Sequence, residues 1–339
     1  MNTVSRRECL FALGATVVAA RAPHLSAAGV SAKAMRGAFI ILNTPFAADG
    51  AVDWGDLSRE LTFVDRGGCA GIVWPQGSSG VSTLTKDERV RGMEVLATAA
   101  KGKRVALVLG VQGRDTPEML VYAKHAEGLG ADAMIAMPPS TGTSMDDYRA
   151  YFRALAGVTK RPVIIQTSGG APKLSPSTDL IIELAREFPH LAYVKEESAP
   201  LVERMQAEIK ARPAMKGVFG ASLGTGWLYE MRLGLDGVIT GMGMYADLMA
   251  RIWDAHERGR HDEVRDAYSK FLLMRNLNEA IPGTDLYVMK MRGVFKTTVR
   301  RTSAPTVSAP AKLTEFTPTP VELEEIEYRF AALKPYLTL

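Results

Sequence analysis

From Gly37 onward, short apolar runs alternate with longer segments in which apolar positions recur at helical spacing. Residues 38–42, 71–74, 105–109, 133–137, 162–165, 191–194, 217–219 and 237–240 read as strands that are apolar throughout, not on one face only. Each is followed by a helical pattern, at 54–64, 85–100, 116–129, 145–156, 177–187, 198–212, 223–233 and 246–257. Local chemistry marks several helix starts. Thr85 and Glu88 have capping-box spacing, Pro117 suits a first turn, and Ser198 offers an N-cap after the sixth strand. Eight such units in about 220 residues call for a parallel sheet covered on both sides. A (β/α)8 barrel of the α/β class over residues 36–258 fits them better than an open doubly wound sheet. No Gly-x-Gly-x-x-Gly follows the first strand, which disfavours a dinucleotide fold. Helical segments near 261–275, 283–296 and 320–335 make 259–339 a C-terminal extension suited to subunit contacts, with a Pro/Thr/Ser-rich connector from Thr302 to Pro320.

The first 32 residues have a different character. Ser5-Arg6-Arg7-Glu8-Cys9-Leu10-Phe11 is a twin-arginine pattern, followed by an apolar run of about twelve residues and by small residues at Ser26 and Ala28. That run is shorter than the roughly twenty residues of a membrane-spanning helix. The expectation is a cleavable leader over 1–32, export of the folded chain and a periplasmic location, with no stable membrane association.

Composition adds mainly exclusions. The formal charge is +4, and the leader's three arginines and one glutamate account for half of it. The remainder carries no basic block beyond Arg300-Arg301, so nucleic acid is not an expected partner. Cys69 is the only cysteine outside the leader, which leaves no intramolecular disulfide to form. The five histidines show no metal-ligand spacing, and no metal is expected.

Candidate chemistry lies at the C-terminal ends of the strands, where barrel active sites are built. Lys195 ends the sixth apolar run and is followed by Glu196, Glu197 and Ser198. A lysine there either reaches water or stays where desolvation lowers its pKa, and the second kind is a nucleophile for Schiff-base chemistry on a ketone. Strand alternation puts Lys195 and Glu197 on one side and Glu196 on the other. After the second strand, Gly77-Ser78-Ser79-Gly80 offers hydroxyls and backbone N–H groups to a carboxylate or oxyanion. Ser140 and Thr141 after strand four, Gln166 after strand five, and Thr240 and Gly241 after strand eight are the further candidates to contact substrate.

In their order and spacing these segments resemble the dihydrodipicolinate synthase/N-acetylneuraminate lyase superfamily of class I aldolases. The resemblance runs from about Arg36 to Arg301. It rests on Thr44-Pro45-Phe46 with Asp49-Gly50, Gly77-Ser78-Ser79-Gly80, Gly130-Ala131-Asp132-Ala133 with Pro138-Pro139, Lys195-Glu196, and Gly234 to Gly241. It implies a barrel with a helical extension, usually tetrameric, and no metal or organic cofactor. Lys195 would form an imine with pyruvate or another 2-oxo acid, while Ser78 and Ser79 would hold the carboxylate and relay protons. The departures matter equally. The family's proton-relaying tyrosine, second in Pro-Pro-Tyr-Tyr, falls at Thr141; its loop glutamate falls at Val81; its Tyr-Asn after strand five becomes Gln166-Thr167. Another acid/base is then required, and Glu197 is the candidate. A Lys-x-Glu with a Gln after strand five is similar to the branch that dehydrates 2-keto-3-deoxy sugar acids. The expectation is a Schiff-base lyase on a 2-oxo acid, with dehydration of a 2-keto-3-deoxy sugar acid favoured. A pyruvate-dependent aldolase or synthase and a non-catalytic periplasmic binding barrel are the alternatives.

Overall fold

The computed structural model describes residues Lys33–Leu339, so the expected leader lies outside the described residues. Eight parallel strands close into a barrel: β1 (Gly37–Ile41), β2 (Gly71–Trp74), β3 (Ala106–Gly110), β4 (Ala133–Ala136), β5 (Val163–Gln166), β6 (Tyr193–Lys195), β7 (Gly217–Gly220) and β8 (Gly237–Thr240). The helices that follow them are α1 (Trp54–Arg66), α2 (Lys86–Ala99), α3 (Thr116–Gly128), α4 (Met145–Val158), α5 (Thr178–Glu187), α6 (Leu201–Lys210), α7 (Trp227–Leu233) and α8 (Ala246–Glu257).

Strand alternation explains why these strands are apolar throughout. Phe39, Ile41, Val73, Ala106, Val108, Ala133, Ile135, Ile164, Phe219 and Ile239 fill the barrel, with Phe39 edge-on to Phe219 at 5.5 Å between ring centroids. The intervening residues, among them Ile40, Ile72, Trp74, Ile165, Val194 and Val238, pack outward against the helices. At one position close packing requires a glycine inside a helix. A Cβ on Gly92 would lie 2.1 Å from the Trp74 ring, so α2 can seat on β2 only with a hydrogen there.

Several expected helix starts form as described by their chemistry. The Thr85–Glu88 capping box closes on α2, and Pro117 lies in the first turn of α3. Two starts differ. Ser198 is not an N-cap: α6 begins at Leu201 after Pro200, and Ser198 spends its N–H on Glu196 and its hydroxyl on the Thr167 carbonyl. The helix expected from Leu223 starts at Trp227, because Ser222, Leu223 and Gly224 all take positive φ in a tight turn that cannot propagate a right-handed helix.

The extension comprises α9 (His261–Ala280), α10 (Thr284–Met291) and α11 (Pro320–Ala331). The connector before α11 also contains structure that its composition hides. β9 (Val299–Arg301) pairs antiparallel with β10 (Leu313–Glu315). Arg301 ties β9 to the barrel mouth, with a two-point ion pair to Glu88 at 2.8 and 2.9 Å and a hydrogen bond to the Gly50 carbonyl. Among the described residues no helix is long and apolar enough to cross a membrane, and no cluster of three metal-ligating side chains occurs.

Candidate active site

Lys195 is the last residue of β6 and follows the inward-facing Tyr193 by two, so it tops the barrel's inner layer. Gln166 is its register partner on β5 and follows inward Ile164 in the same way. Lys195 is only 4 % exposed, and burial lowers its amine below the ordinary lysine value. Glu197 opposes that shift: its Oε2 lies 2.9 Å from the Lys195 Nζ. The same oxygen accepts a 2.5 Å hydrogen bond from Ser168, whose hydroxyl in turn accepts from Gln166 Nε2 at 3.0 Å. Gln166 Oε1 is buried with no protein partner, on the residue paired in register with Lys195. Glu196 points the opposite way, into a buried pair with Arg204 behind the strand.

The array therefore offers a nearly buried amine of lowered basicity and a carboxylate against it. A desolvated amine is an effective nucleophile toward a carbonyl, and a carboxylate in contact with the resulting nitrogen can move protons at the adjacent carbon. Ser168 belongs to this array, although nothing in the sequence singles it out. Its position in a polar run after an apolar strand is visible there, but its partner is not.

The loop after β2 forms a tight turn over Gly77–Ser79. Only part of it is free to meet a ligand. Ser79 is buried and used up: its hydroxyl donates to the Leu42 carbonyl at 2.6 Å, and its N–H donates to the Gln76 carbonyl. Ser78 is exposed, and its hydroxyl and N–H, like the Gly77 N–H, have no partner among the described residues. The first N–H groups of a helical turn are the ones left unpaired, so an anion cradle here is made by Gly77 and Ser78. Gly241 closes on that loop, since a Cβ there would sit 2.5 Å from the Ser78 Cβ. Beside Ser78 and Gly241 opens a cleft of about 320 Å³, lined also by Asn43, Leu223 and, from the extension, Asp285 and Arg300. Lys195 does not line this cleft.

Two other expected contacts lie elsewhere. Thr240 pairs with outward-facing Ile40, so its buried hydroxyl faces the helical layer while Gly241 takes the inward position. Thr141 is exposed and donates its hydroxyl to the Arg114 carbonyl at 2.9 Å.

Asn43, at the cleft, is held from behind by Glu60 of α1, which accepts from its N–H at 3.2 Å and from its amide at 3.1 Å. Burial pushes the Glu60 carboxyl up to about 8 despite those two bonds. The folded protein therefore binds this proton more tightly than the unfolded chain, whose glutamates titrate near 4.3. The group's contribution to stability is complete below about pH 4.3 and declines as pH rises toward 8, by an upper bound of about 5 kcal/mol. Glu60→Gln is expected to melt with the wild type at pH 4.5 and above it at pH 8, with the gap opening between the two. Parallel melting curves across that range would show that Glu60 does not titrate there.

A model of the dihydrodipicolinate synthetase family matches residues 34–313. The 4-hydroxy-tetrahydrodipicolinate synthase of Chlorobaculum parvum is 29 % identical over 276 residues, covering 80 % of this chain and 92 % of that one. Among solved structures, the dihydrodipicolinate synthase of Rhodopseudomonas palustris superposes with a TM-score of 0.74 at 20 % identity, over 88 % of this chain and 97 % of that one. The chloride-inhibited enzyme of Acinetobacter baumannii, solved with pyruvate, gives 0.74 at 21 % identity, over 89 % and 99 %. With a closed eight-stranded barrel and a lysine at the end of its sixth strand, this chain belongs to the dihydrodipicolinate synthetase family and is an enzyme of the lyase type.

Proposed function

We propose that the protein is a Schiff-base lyase that dehydrates a 2-keto-3-deoxy sugar acid. The observation that carries this is the contact between the buried Lys195 amine and the Glu197 carboxylate. The neutral amine attacks the C2 ketone, and loss of the ketone oxygen as water leaves an iminium. Glu197 then takes a proton from C3, whose acidity the iminium raises, to give an enamine. The enamine expels the C4 hydroxyl, and the protonated carboxyl of Glu197 returns its proton to it, so a second water leaves and the carboxylate is regenerated. Hydrolysis of the conjugated iminium restores Lys195. Gly77 and Ser78 offer donors to the substrate carboxylate, and Gln166 stands beside the amine as the register partner of Lys195.

The second reading is a pyruvate-dependent aldolase or synthase, favoured by the names of the relatives. It lacks support from a phenol at Thr141, whose exposed hydroxyl is bonded to Arg114. Borohydride added during incubation with pyruvate, then with a 3-deoxy-2-oxo sugar acid, tests both. Dehydration predicts an adduct on Lys195 with either acid and loss of one water from the sugar acid alone. Release of pyruvate from the sugar acid would favour the aldolase; no adduct with any 2-oxo acid would leave the binding-barrel alternative.

The twin-arginine pattern at Ser5–Phe11 supports export of the folded chain to the periplasm, which cell fractionation tests. A tetrameric assembly, usual in the resembling superfamily, is tested by light scattering.

A further inference from the structure

Behind β6, facing α6, lies a charged cluster that the imine chemistry does not touch. Glu196 and Glu208 are fully buried, and Arg204 reaches Glu196 Oε2 at 3.0 Å while donating to the Pro176 carbonyl at 2.8 Å. Burial, together with the facing Glu196 carboxylate, pushes the Glu208 carboxyl well up, which leaves it neutral at neutral pH. The cluster is thus one carboxylate, one guanidinium and one carboxylic acid. A buried group of this kind is weak as a stability device, since desolvation offsets most of its Coulomb gain.

Its connections run toward Lys195. Glu196 Oε1 accepts from the Thr167 hydroxyl at 2.7 Å and from the Ser198 N–H at 2.7 Å. A carboxylate only accepts, so the single hydroxyl proton of Thr167 is committed to Glu196. The Thr167 oxygen then has a lone pair for the Glu197 N–H, which it meets at 2.8 Å. The Ser198 hydroxyl completes the bracket on the Thr167 carbonyl at 3.2 Å. This matters because residues 196–200 lie between the end of β6 and the start of α6 and belong to neither. Together with the Glu196 N–H, which donates to the Phe219 carbonyl at 3.0 Å, these tethers hold the backbone from which the Glu197 side chain projects.

We propose that Thr167 is a positioning residue through which the buried Glu196–Arg204–Glu208 cluster fixes the Glu197 backbone and so aims its carboxylate at the Lys195 amine. The proposal rests on reading Lys195 and Glu197 as the reacting pair. With the hydroxyl absent, the Glu197 N–H loses its acceptor and the Glu196 carboxylate loses a donor, so residue 197 is held only through its neighbours Glu196 and Ser198.

Thr167→Val keeps the branched shape without the hydroxyl, and Thr167→Ser keeps the hydroxyl. Each is read by the pH dependence of Lys195 methylation with formaldehyde and cyanoborohydride, mapped by peptide mass, and by deuterium exchange at C3 of pyruvate. The charged neighbour acting on the amine is Glu197, which raises its pKa against burial. The valine variant is expected to titrate Lys195 lower by about one pH unit. It should also exchange C3 hydrogens about 10²-fold more slowly, as for a misaimed group. The serine variant restores both. Wild-type titration and exchange in the valine variant, or equal impairment in the serine variant, would overturn the proposal. If valine prevents folding, Thr167→Ala removes the same hydroxyl with less bulk. Methylation needs no 2-oxo acid, so it reads the positioning even where wild-type protein forms no imine. That last failure would count against the Schiff-base function alone.

Discussion

Lys195→Met is expected to lose all borohydride-trapped adduct and on the order of 10⁶-fold of turnover, the scale of loss when a covalent nucleophile is removed. The variant should still fold. Methionine fills most of the volume of the lysine stem, and the substitution removes an ammonium that burial already disfavours. Glu197 is left without the amine but keeps the Ser168 hydroxyl and remains partly open to water. The wild-type pH dependence sharpens the test. The amine is active in its neutral form, and burial lowers its pKa below the ordinary lysine value of 10.5. Adduct formation should therefore rise with pH to a plateau whose midpoint lies below that of an exposed lysine. A midpoint at the ordinary value, or an adduct mapped to a different lysine, would remove Lys195 from the nucleophile's role.

Glu197→Gln separates imine formation from the proton transfers that use the imine. The amide still accepts from Ser168 and occupies the same space, but it cannot take a proton. The adduct with pyruvate should persist, while deuterium exchange at C3 and dehydration both fall by about 10²- to 10⁴-fold, the usual contribution of a positioned acid/base. Loss of the carboxylate leaves desolvation unopposed at Lys195, so the amine should titrate lower than in the wild type. Adduct formation at pH 7 should then be undiminished while turnover collapses. Wild-type exchange in this variant would show that a different group handles the C3 proton, and the Ser168 hydroxyl beside it would be the next to replace.

Much of this site follows from the two-residue period of a strand. Phe39, Ile164, Phe219 and Ile239 point into the barrel, and the same period puts Lys195 and Gln166 above them. It also separates Glu197, on the amine, from Glu196, behind the strand. The same period places Gly241 inward and Thr240 outward, a distinction the glycine-rich composition of that segment obscures. Where the chain leaves regular structure, periodicity says nothing. Two adjacent serines in one turn have opposite fates, Ser78 free and Ser79 spent on Leu42, because turn geometry and not residue type decides which hydroxyl meets a carbonyl. Ser198 has the chemistry of a helix cap and instead brackets Thr167, since Pro200 moves the helix start three residues on.

By itself, then, the sequence determined the eight alternating units, the barrel they close, and the lysine and carboxylate that share one side of its mouth. These are local matters of spacing and side-chain direction. Only the tertiary structure decided what surrounds that pair. It brought Thr167 and Ser168 of one loop against Glu197 of the next, and set Arg204 and Glu208 behind them. It also returned β9 from about two hundred residues away to anchor beside the Ser78 loop. Such contacts depend on which strands become neighbours when the sheet closes, and on how each loop turns after its strand ends. Neither is encoded in the spacing of residues along one segment.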